Sequence, residues 1–194
     1  SNYGAMWELL LQQEFNIQTI EADPFVPDRV LGGGFTTICQ SDDGGQNWVY
    51  CTDLDLPTTY ETYPNILEVI RAHPKSKDIM LTGLRHIFED EWHYGPGSIY
   101  YTENGGDTWT LADTPEGMTV VQDLAFDTVY PDVAYAGTSS GFYRSENAGQ
   151  NWTSVEDGPG DVGSIAVEPA PDTGTEHSIV VVDAEQGGRY RFVS

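Results

Sequence analysis

The segment LRHIFEDEWHYGPGS, residues 84 to 98, concentrates the side chains that could perform chemistry in this chain. Two carboxylates that flank a glycosidic bond can hydrolyse it, and aromatic rings offer flat surfaces on which a sugar can stack. The segment therefore predicts a ligand site, with an acidic surface hairpin packed by its own aromatic rings as the alternative. The candidate catalytic residues are Glu89, Asp90 and Glu91, and the candidate ligand-binding residues are Arg85, His86, Trp92, His93 and Tyr94.

Metal and cofactor chemistry has little support in the sequence. His86 and His93 lie seven positions apart, which is a weak metal pattern because an isolated histidine is more often a hydrogen-bonded surface residue. The two cysteines form no CxxC motif for zinc. We predict no metal site and no cofactor, although the many carboxylates leave calcium binding open.

The chain of 194 residues carries 31 acidic and 8 basic side chains, for a net charge of -23. Such a charge repels nucleic acids and anionic membranes, and no apolar run is long enough to predict a membrane span. Three explanations remain: a halophilic surface, calcium binding, or attraction of a cationic partner. The acidic residues are scattered, which favours a halophilic protein, soluble in the cytoplasm or outside the cell of a high-salt organism.

Three similar strings of eight residues divide the chain: SDDGGQNW (41 to 48), TENGGDTW (102 to 109) and SENAGQNW (145 to 152). We name them the first, second and third strings. The residues before them also repeat, since PDVAYAGTSSGFYR aligns with PDRVLGGGFTTICQ. Short runs rich in Val, Ile, Tyr and Thr between Gly, Pro, Asp and Asn turns predict four β-strands per unit. In the third unit we expect strands at 121–126, 133–137, 141–145 and 151–155.

A fourth unit begins near residue 164 and reaches Ser194, the first residue of its own string. If residue 1 is placed directly after Ser194, then Ser194, Asn2, Gly4 and Trp7 have the same spacing as the Ser, Asn, Gly and Trp of the other strings. The N-terminal segment is therefore predicted to supply the fourth strand of the last unit, and so to close a ring of sheets.

The three strings resemble the Asp-box, and the whole chain resembles an Asp-box (BNR-type) β-propeller. In that family the string forms the hairpin between the third and fourth strands of each four-stranded blade. Its members include sialidases, xyloglucan-active glycosidases, sortilin-type receptors and photosystem assembly factors, so membership names no activity. The resemblance implies an all-β single domain over residues 1–194, with about four blades. The alternative is half of a larger ring, and two copies could form an eight-bladed homodimer.

The residues of the strings have structural explanations of their own. The first polar residue and the Asp or Asn can bond turn amides, the glycine suits a positive φ, and the tryptophan can cover the hairpin. The predicted structural residues are Ser41, Asp43, Gly45, Trp48, Thr102, Asn104, Gly106, Trp109, Ser145, Asn147, Gly149, Trp152, Asn2, Gly4 and Trp7.

Family resemblance also implies that ligands meet the face opposite these hairpins, where the loops between strands two and three lie. Trp109 follows Trp48 by 61 residues, whereas Trp152 follows Trp109 by 43. The extra length falls in the 84 to 98 segment, and long loops in compact domains are often functional. The segment 52 to 65 adds Tyr60 and Tyr63 on the same expected face.

A sialidase site would need an arginine cluster for the sugar carboxylate, and the Arg-Ile-Pro motif of that family is missing. A xyloglucanase would need two propellers facing a cleft. We therefore predict a non-enzymatic binding or scaffold module for a protein or carbohydrate ligand, with a glycoside hydrolase as the alternative. Cys39 and Cys51 flank the first string on neighbouring antiparallel strands, so a disulfide is possible, and two small buried side chains are the alternative.

Overall fold

The computed structural model describes residues 16–54, 65–86, 97–169, 178–184 and 188–193. Their regular elements are short antiparallel strands, and they contain no helix long and apolar enough to cross a membrane. The strands are β1 Thr19–Ala22, β2 Val30–Gly33, β3 Thr37–Ser41, β4 Val49–Asp53, β5 Asn65–Ala72, β6 Met80–His86, β7 Ser98–Thr102, β8 Thr110–Leu111, β9 Val121–Phe126, β10 Ala134–Thr138, β11 Gly141–Ser145, β12 Thr153–Ser154, β13 Ser164–Pro169, β14 Ser178–Ala184 and β15 Gly188–Val193.

Each sequence repeat folds into one antiparallel sheet whose strands follow chain order. The first three sheets, β1–β4, β5–β8 and β9–β12, have four strands, and the fourth sheet, β13–β15, has three within the described residues. The predicted all-β architecture of four-stranded units is confirmed. The predicted fourth strand of the third unit, 151–155, shrinks to the two residues of β12. Before β12, the Trp152 amide donates to the C=O of Asp113, which follows β8, instead of pairing within its own sheet.

The last sheet is predicted to gain its fourth strand from the N-terminal segment. Asn2, Gly4 and Trp7 lie outside the described residues, as does Ser194. Closure of a ring by the two chain ends therefore stays a prediction.

Within the described residues, the apolar core forms three layers, one between each pair of consecutive sheets. Alternate side chains of one strand enter different layers, because successive residues of a strand point to opposite faces. Met80 joins the layer shared with the first sheet, and Leu81 joins the layer shared with the third. Val180 and Val182 of the fourth sheet pack on Tyr135 and Phe142 of the third.

A glycine in the second strand of each four-stranded sheet allows the next sheet to approach closely. A Cβ atom on Gly33 would lie 2.8 Å from Leu67 Cδ2. A Cβ atom on Gly83 would lie 2.4 Å from Val121 Cγ1, and one on Gly137 would lie 2.6 Å from Val162 Cγ1. The first strands of consecutive sheets also contact one another: β1 contacts β5, β5 contacts β9, and β9 contacts β13. The four sheets therefore pack in sequence, with their first strands side by side.

Ionic and polar contacts join these first strands. Arg71 Nη2 of β5 donates to Asp123 Oδ1 of β9 over 2.7 Å, and Asp123 Oδ2 accepts from the Ile165 amide of β13 over 2.8 Å. Glu21 of β1 accepts from the Ala72 amide over 3.1 Å and lies 3.9 Å from Arg71. Burial raises the pKa of Glu21, and the Ala72 bond and Arg71 oppose that rise. Each described sheet is thus tied to the next along their first strands.

Cys39 and Cys51 form a disulfide between β3 and β4. The register of the Thr37–Asp53 and Ile38–Thr52 pairs, continued by one residue, places Cys51 opposite Cys39, and the register has shifted by the Gln40–Val49 pair. A bond that closes so short a loop stabilises the fold by roughly 3 kcal/mol in the chain-entropy account. The disulfide fixes the outer strand of the first sheet to its neighbour.

Candidate functional site

The three strings adopt one hydrogen-bonded turn. In the first, Ser41 Oγ donates to Asp43 Oδ1 over 2.8 Å and accepts from the Gly45 amide over 2.8 Å. Asp43 Oδ1 also accepts from the Asn47 amide over 2.8 Å. These bonds, chiefly those from Asn47, lower the pKa of Asp43. The same bonds recur in the other two strings, through Thr102, Asn104, Gly106 and Thr108, and through Ser145, Asn147, Gly149 and Asn151.

The backbone of these turns needs residues that tolerate a positive φ. Gly45, Gly106 and Gly149 have φ values of 89°, 96° and 89°. The tryptophans that end the second and third strings, Trp109 and Trp152, are 8% and 4% exposed, and that of the first, Trp48, is partly buried. Because the Ser or Thr hydroxyl and the Asp or Asn side chain of each string bond within the string, the strings are structural turns.

The strings share one end of the sheets with the turns between first and second strands. The Gly44 amide donates to Asp28 C=O over 2.8 Å, Gly105 to Asp78 over 2.9 Å, and Ala148 to Asp132 over 2.7 Å. We call this end the hairpin face. The opposite end, the loop face, contains the described loops between second and third strands, residues 34–36 and 139–140, and the described connections between sheets, residues 112–120 and 155–163. There the Leu67 amide donates to Gly34 C=O over 2.9 Å.

Most of the predicted ligand site lies outside the described residues. This applies to Glu89, Asp90, Glu91, Trp92, His93 and Tyr94, and to Tyr60 and Tyr63. The described part of the loop face includes Phe35, which is 46% exposed. Ligand binding by the predicted residues outside the described ranges stays a prediction.

His86 is the last residue of β6, and the structure gives it a role that the sequence did not indicate. It is 1% exposed, and its ring lies between Asn65 of β5 and Ser98 of β7. Since Asn65 Oδ1 can only accept, Nδ1 carries the proton and Nε2 accepts from Ser98 Oγ over 2.8 Å. His86 therefore joins three strands beneath the loop face, whereas the sequence suggested an exposed ligand contact.

Arg85 forms an ion pair that the sequence analysis missed. Its Nε lies 2.8 Å from Glu68 Oε1, and both side chains are about a quarter exposed, at 29% and 26%. Glu68 is the extra residue of a register shift between Leu67 and Val69 in β5, and such bulges redirect a side chain. The Arg85–Glu68 pair is therefore a charged contact near the loop face. The sequence did not predict it, because a single sequence carries no pattern that marks a bulge.

The buried state of His86 predicts a pH effect on stability. Burial lowers the pKa of His86 to about 4, from 6.5 in an unfolded chain. Between these values the unfolded chain binds the proton more tightly, so the free energy of unfolding should fall as pH drops from 6.5 towards 4. Urea unfolding of the wild type and of His86→Gln across this range should show a smaller loss in the variant, and parallel profiles would contradict the assignment.

The described residues bring together no group of three or more His, Cys, Asp or Glu side chains that could hold a metal ion. Calcium binding therefore gains no site in this part of the chain.

No protein-family model matches the sequence, and no curated protein matches it either. Solved structures do match the fold. An ancestral GH74 enzyme is 17% identical with a TM-score of 0.64 over 96% of this chain, and the GH74 xyloglucanase from Xanthomonas campestris is 19% identical with a TM-score of 0.65 over 91%. This chain spans only 27% and 29% of those two proteins. The likeness shows an all-β fold of the propeller type seen in GH74 enzymes.

Proposed function

We propose that the chain is an Asp-box β-propeller segment that binds a carbohydrate chain at its loop face without hydrolysing it. The observation that carries the proposal is the fold likeness to two GH74 enzymes, one of them a xyloglucanase, over more than nine-tenths of the chain. Propeller architecture places the variable loops of all sheets together, so the long 84 to 98 segment and its aromatic residues can meet an extended ligand.

Three described carboxylates, Asp43, Asp123 and Glu21, are engaged in structural hydrogen bonds and so are unsuited to catalysis. Asp43 bonds within its own string, and Asp123 bonds Arg71 and two backbone amides. Glu21 bonds the Ala72 amide. Glycosidases need one carboxyl group to give up a proton to the leaving group and a second to act as base or nucleophile. These three groups serve the packing of the sheets, so a hydrolytic pair would have to come from elsewhere.

Hydrolysis by Glu89, Asp90 and Glu91 is the second candidate function, and the enzymatic character of the GH74 neighbours favours it. The further proposals are four blades closed by the N-terminal strand, and a halophilic surface that keeps the acidic chain hydrated. A homodimer with eight blades is the alternative assembly.

A titration with a xyloglucan oligosaccharide tests the proposed function. Isothermal titration calorimetry should show saturable binding of the oligosaccharide by the wild-type chain. Trp92→Ala or Tyr94→Ala should weaken binding by about tenfold, because a stacking ring is lost. Phe25→Ala is the matched control, because Phe25 is 42% exposed in a turn of the hairpin face. No binding, or equal loss in the control, would overturn the proposal. Release of reducing ends that Glu89→Gln abolishes would establish the hydrolase instead.

A further inference from the structure

A polar groove lies on the hairpin face between the first and second sheets. Its volume is about 420 Å³. One wall is Arg29, Gln40 and Asp42 of the first sheet, and the other is Lys77, Asp78, Asn104, Gly105 and Asp107 of the second. A smaller recess of about 50 Å³ adjoins the groove, and both are lined by Gln40, Gly105 and Asp107. The recess is also lined by Leu31, Ile38 and Cys39.

The next pair of sheets has a closed interface at the equivalent place. A Cβ atom on Gly149 of the third string would lie 2.3 Å from Leu81 Cδ2, so that string packs tightly on the second sheet. A Cβ atom on the equivalent Gly106 would lie 3.9 Å from the equivalent leucine, Leu31. The second string therefore stands farther from the first sheet.

The path of the outer strand explains this difference. After the two residues of β8, Asp113 leaves its sheet, donates to Gln150 C=O and accepts from the Trp152 amide, both over 2.9 Å. The equivalent residue of the first sheet, Asp53, stays paired with Thr37, whose hydroxyl donates to its carboxylate over 2.6 Å. The Cys39–Cys51 disulfide fixes this longer β4 to β3. The fourth strand of the first sheet thus stays bonded to β3 and, among the described residues, makes no backbone bond to the second string, so the groove stays open.

The carboxylates that line the groove differ in how many hydrogen bonds and ion pairs they form. Asp42 Oδ1 accepts from Arg29 Nε over 3.1 Å and from Gln40 Nε2 over 2.9 Å. Among the described residues, the Asp78 carboxylate has only Lys77 Nζ as a partner, at 3.5 Å, and both side chains are more than half exposed. Asp107 has no bond or ion pair to another described side chain, whereas the first and third strings carry glutamine at this position, Gln46 and Gln150. The second string alone adds a carboxylate here.

Trp109, which packs in one apolar cluster with the Leu31 and Ile38 side chains that line the recess, has an unused hydrogen-bond donor within the described part of the chain. Trp152 Nε1 donates to Gly149 C=O over 2.8 Å, but the equivalent Trp109 Nε1 is buried with no acceptor among the described residues. Trp109 is 8% exposed and belongs to the same apolar cluster as Leu31 and Ile38. An occupant of the recess could supply that acceptor.

We propose that this groove is a docking site for a basic peptide segment of a partner protein. The apolar recess accepts the hydrocarbon stem of an arginine or lysine side chain, and Asp107 and Asp78 bind its cationic head. A peptide carbonyl would accept from the Trp109 indole. The net charge of -23 attracts such a partner over long range. This site is separate from the loop face and does not depend on the proposed glycan ligand.

The test is an NMR titration of the full ¹⁵N-labelled chain with acetyl-Ala-Ala-Arg-Ala-Ala-amide. Saturable shifts are expected at the Gly105 and Gly106 amides and at the Trp109 indole N–H. Asp107→Gln, which installs the residue of the other two strings and so preserves the turn, should weaken binding by about fivefold or more. Asp78→Asn should weaken it in the same direction.

Asp132→Asn is the matched control, because Asp132 occupies the position of Asp78 in the third unit and the variant removes the same charge. It should leave affinity within about twofold. Equal weakening by Asp107→Gln and Asp132→Asn would reduce the binding to general attraction and overturn the proposal. Equal binding of the peptide with glutamine in place of arginine, or an absence of saturable shifts at 105, 106 and 109, would also overturn it.

Discussion

Replacing Gly83 by alanine is expected to lower the free energy of unfolding by about 2–3 kcal/mol, as overpacking of a filled core does. The new Cβ would lie 2.4 Å from Val121 Cγ1, 2.9 Å from Val121 Cβ and 3.0 Å from Val69 Cγ1. Val121 is fully buried, and Val121 and Val69 belong to the first strands of their sheets, so the second and third sheets must move apart. Urea unfolding followed by tryptophan fluorescence measures the loss.

Gly160→Ala is the control for that prediction. A Cβ atom at Gly160 meets nothing within 4 Å, so alanine there should change stability by less than about 1 kcal/mol and can stabilise the fold by restricting the unfolded chain. A loss at Gly83 no greater than at Gly160 would show that the sheets do not pack as closely as described.

Removing the carboxylate of Asp123 is expected to cost about 3 kcal/mol, within the range found when one partner of a buried ion pair is deleted. Asp123 is 8% exposed and accepts from Arg71 Nη2 over 2.7 Å, from the Leu124 amide over 2.9 Å and from the Ile165 amide over 2.8 Å. Asp123→Ala therefore leaves donors of three successive sheets without their acceptor. The measurement is the urea midpoint with its slope.

Asp123→Asn should recover part of the loss, because the amide oxygen can still accept one backbone bond. Glu116→Ala, at an exposed position, should be nearly neutral despite the same change in net charge. Equal effects of Asp123→Ala and Glu116→Ala would assign the result to overall charge and reject the inter-sheet role of Asp123.

Local patterns in the sequence were enough to predict the strands and turns. Strand composition, turn residues and the repeat length act over a few neighbouring residues, so they located β9 at 121–126 as the structure has it. The polar residues of the strings bond neighbours two to four positions away, as Ser41 and Gly45 do, and that range is readable from one unit.

Contacts between units could not be predicted in the same way. Arg71 and Asp123 are 52 positions apart and occupy different positions of their repeats, so aligning the units does not pair them. The glycine at position 83 is visible in the sequence, but its reason is the Val121 side chain of the next sheet. His86 looked like a loop ligand because its partners, Asn65 and Ser98, come from flanking strands.

The most direct test of glycan binding at the loop face is a hydrogen-exchange footprint of the full chain with saturating xyloglucan oligosaccharide. We expect slower exchange at the loop face, in peptides covering 34–36 and 84–98, with unchanged exchange at the strings 41–48, 102–109 and 145–152. Protection confined to the strings would contradict it, because the strings would then be the ligand site and not structural turns.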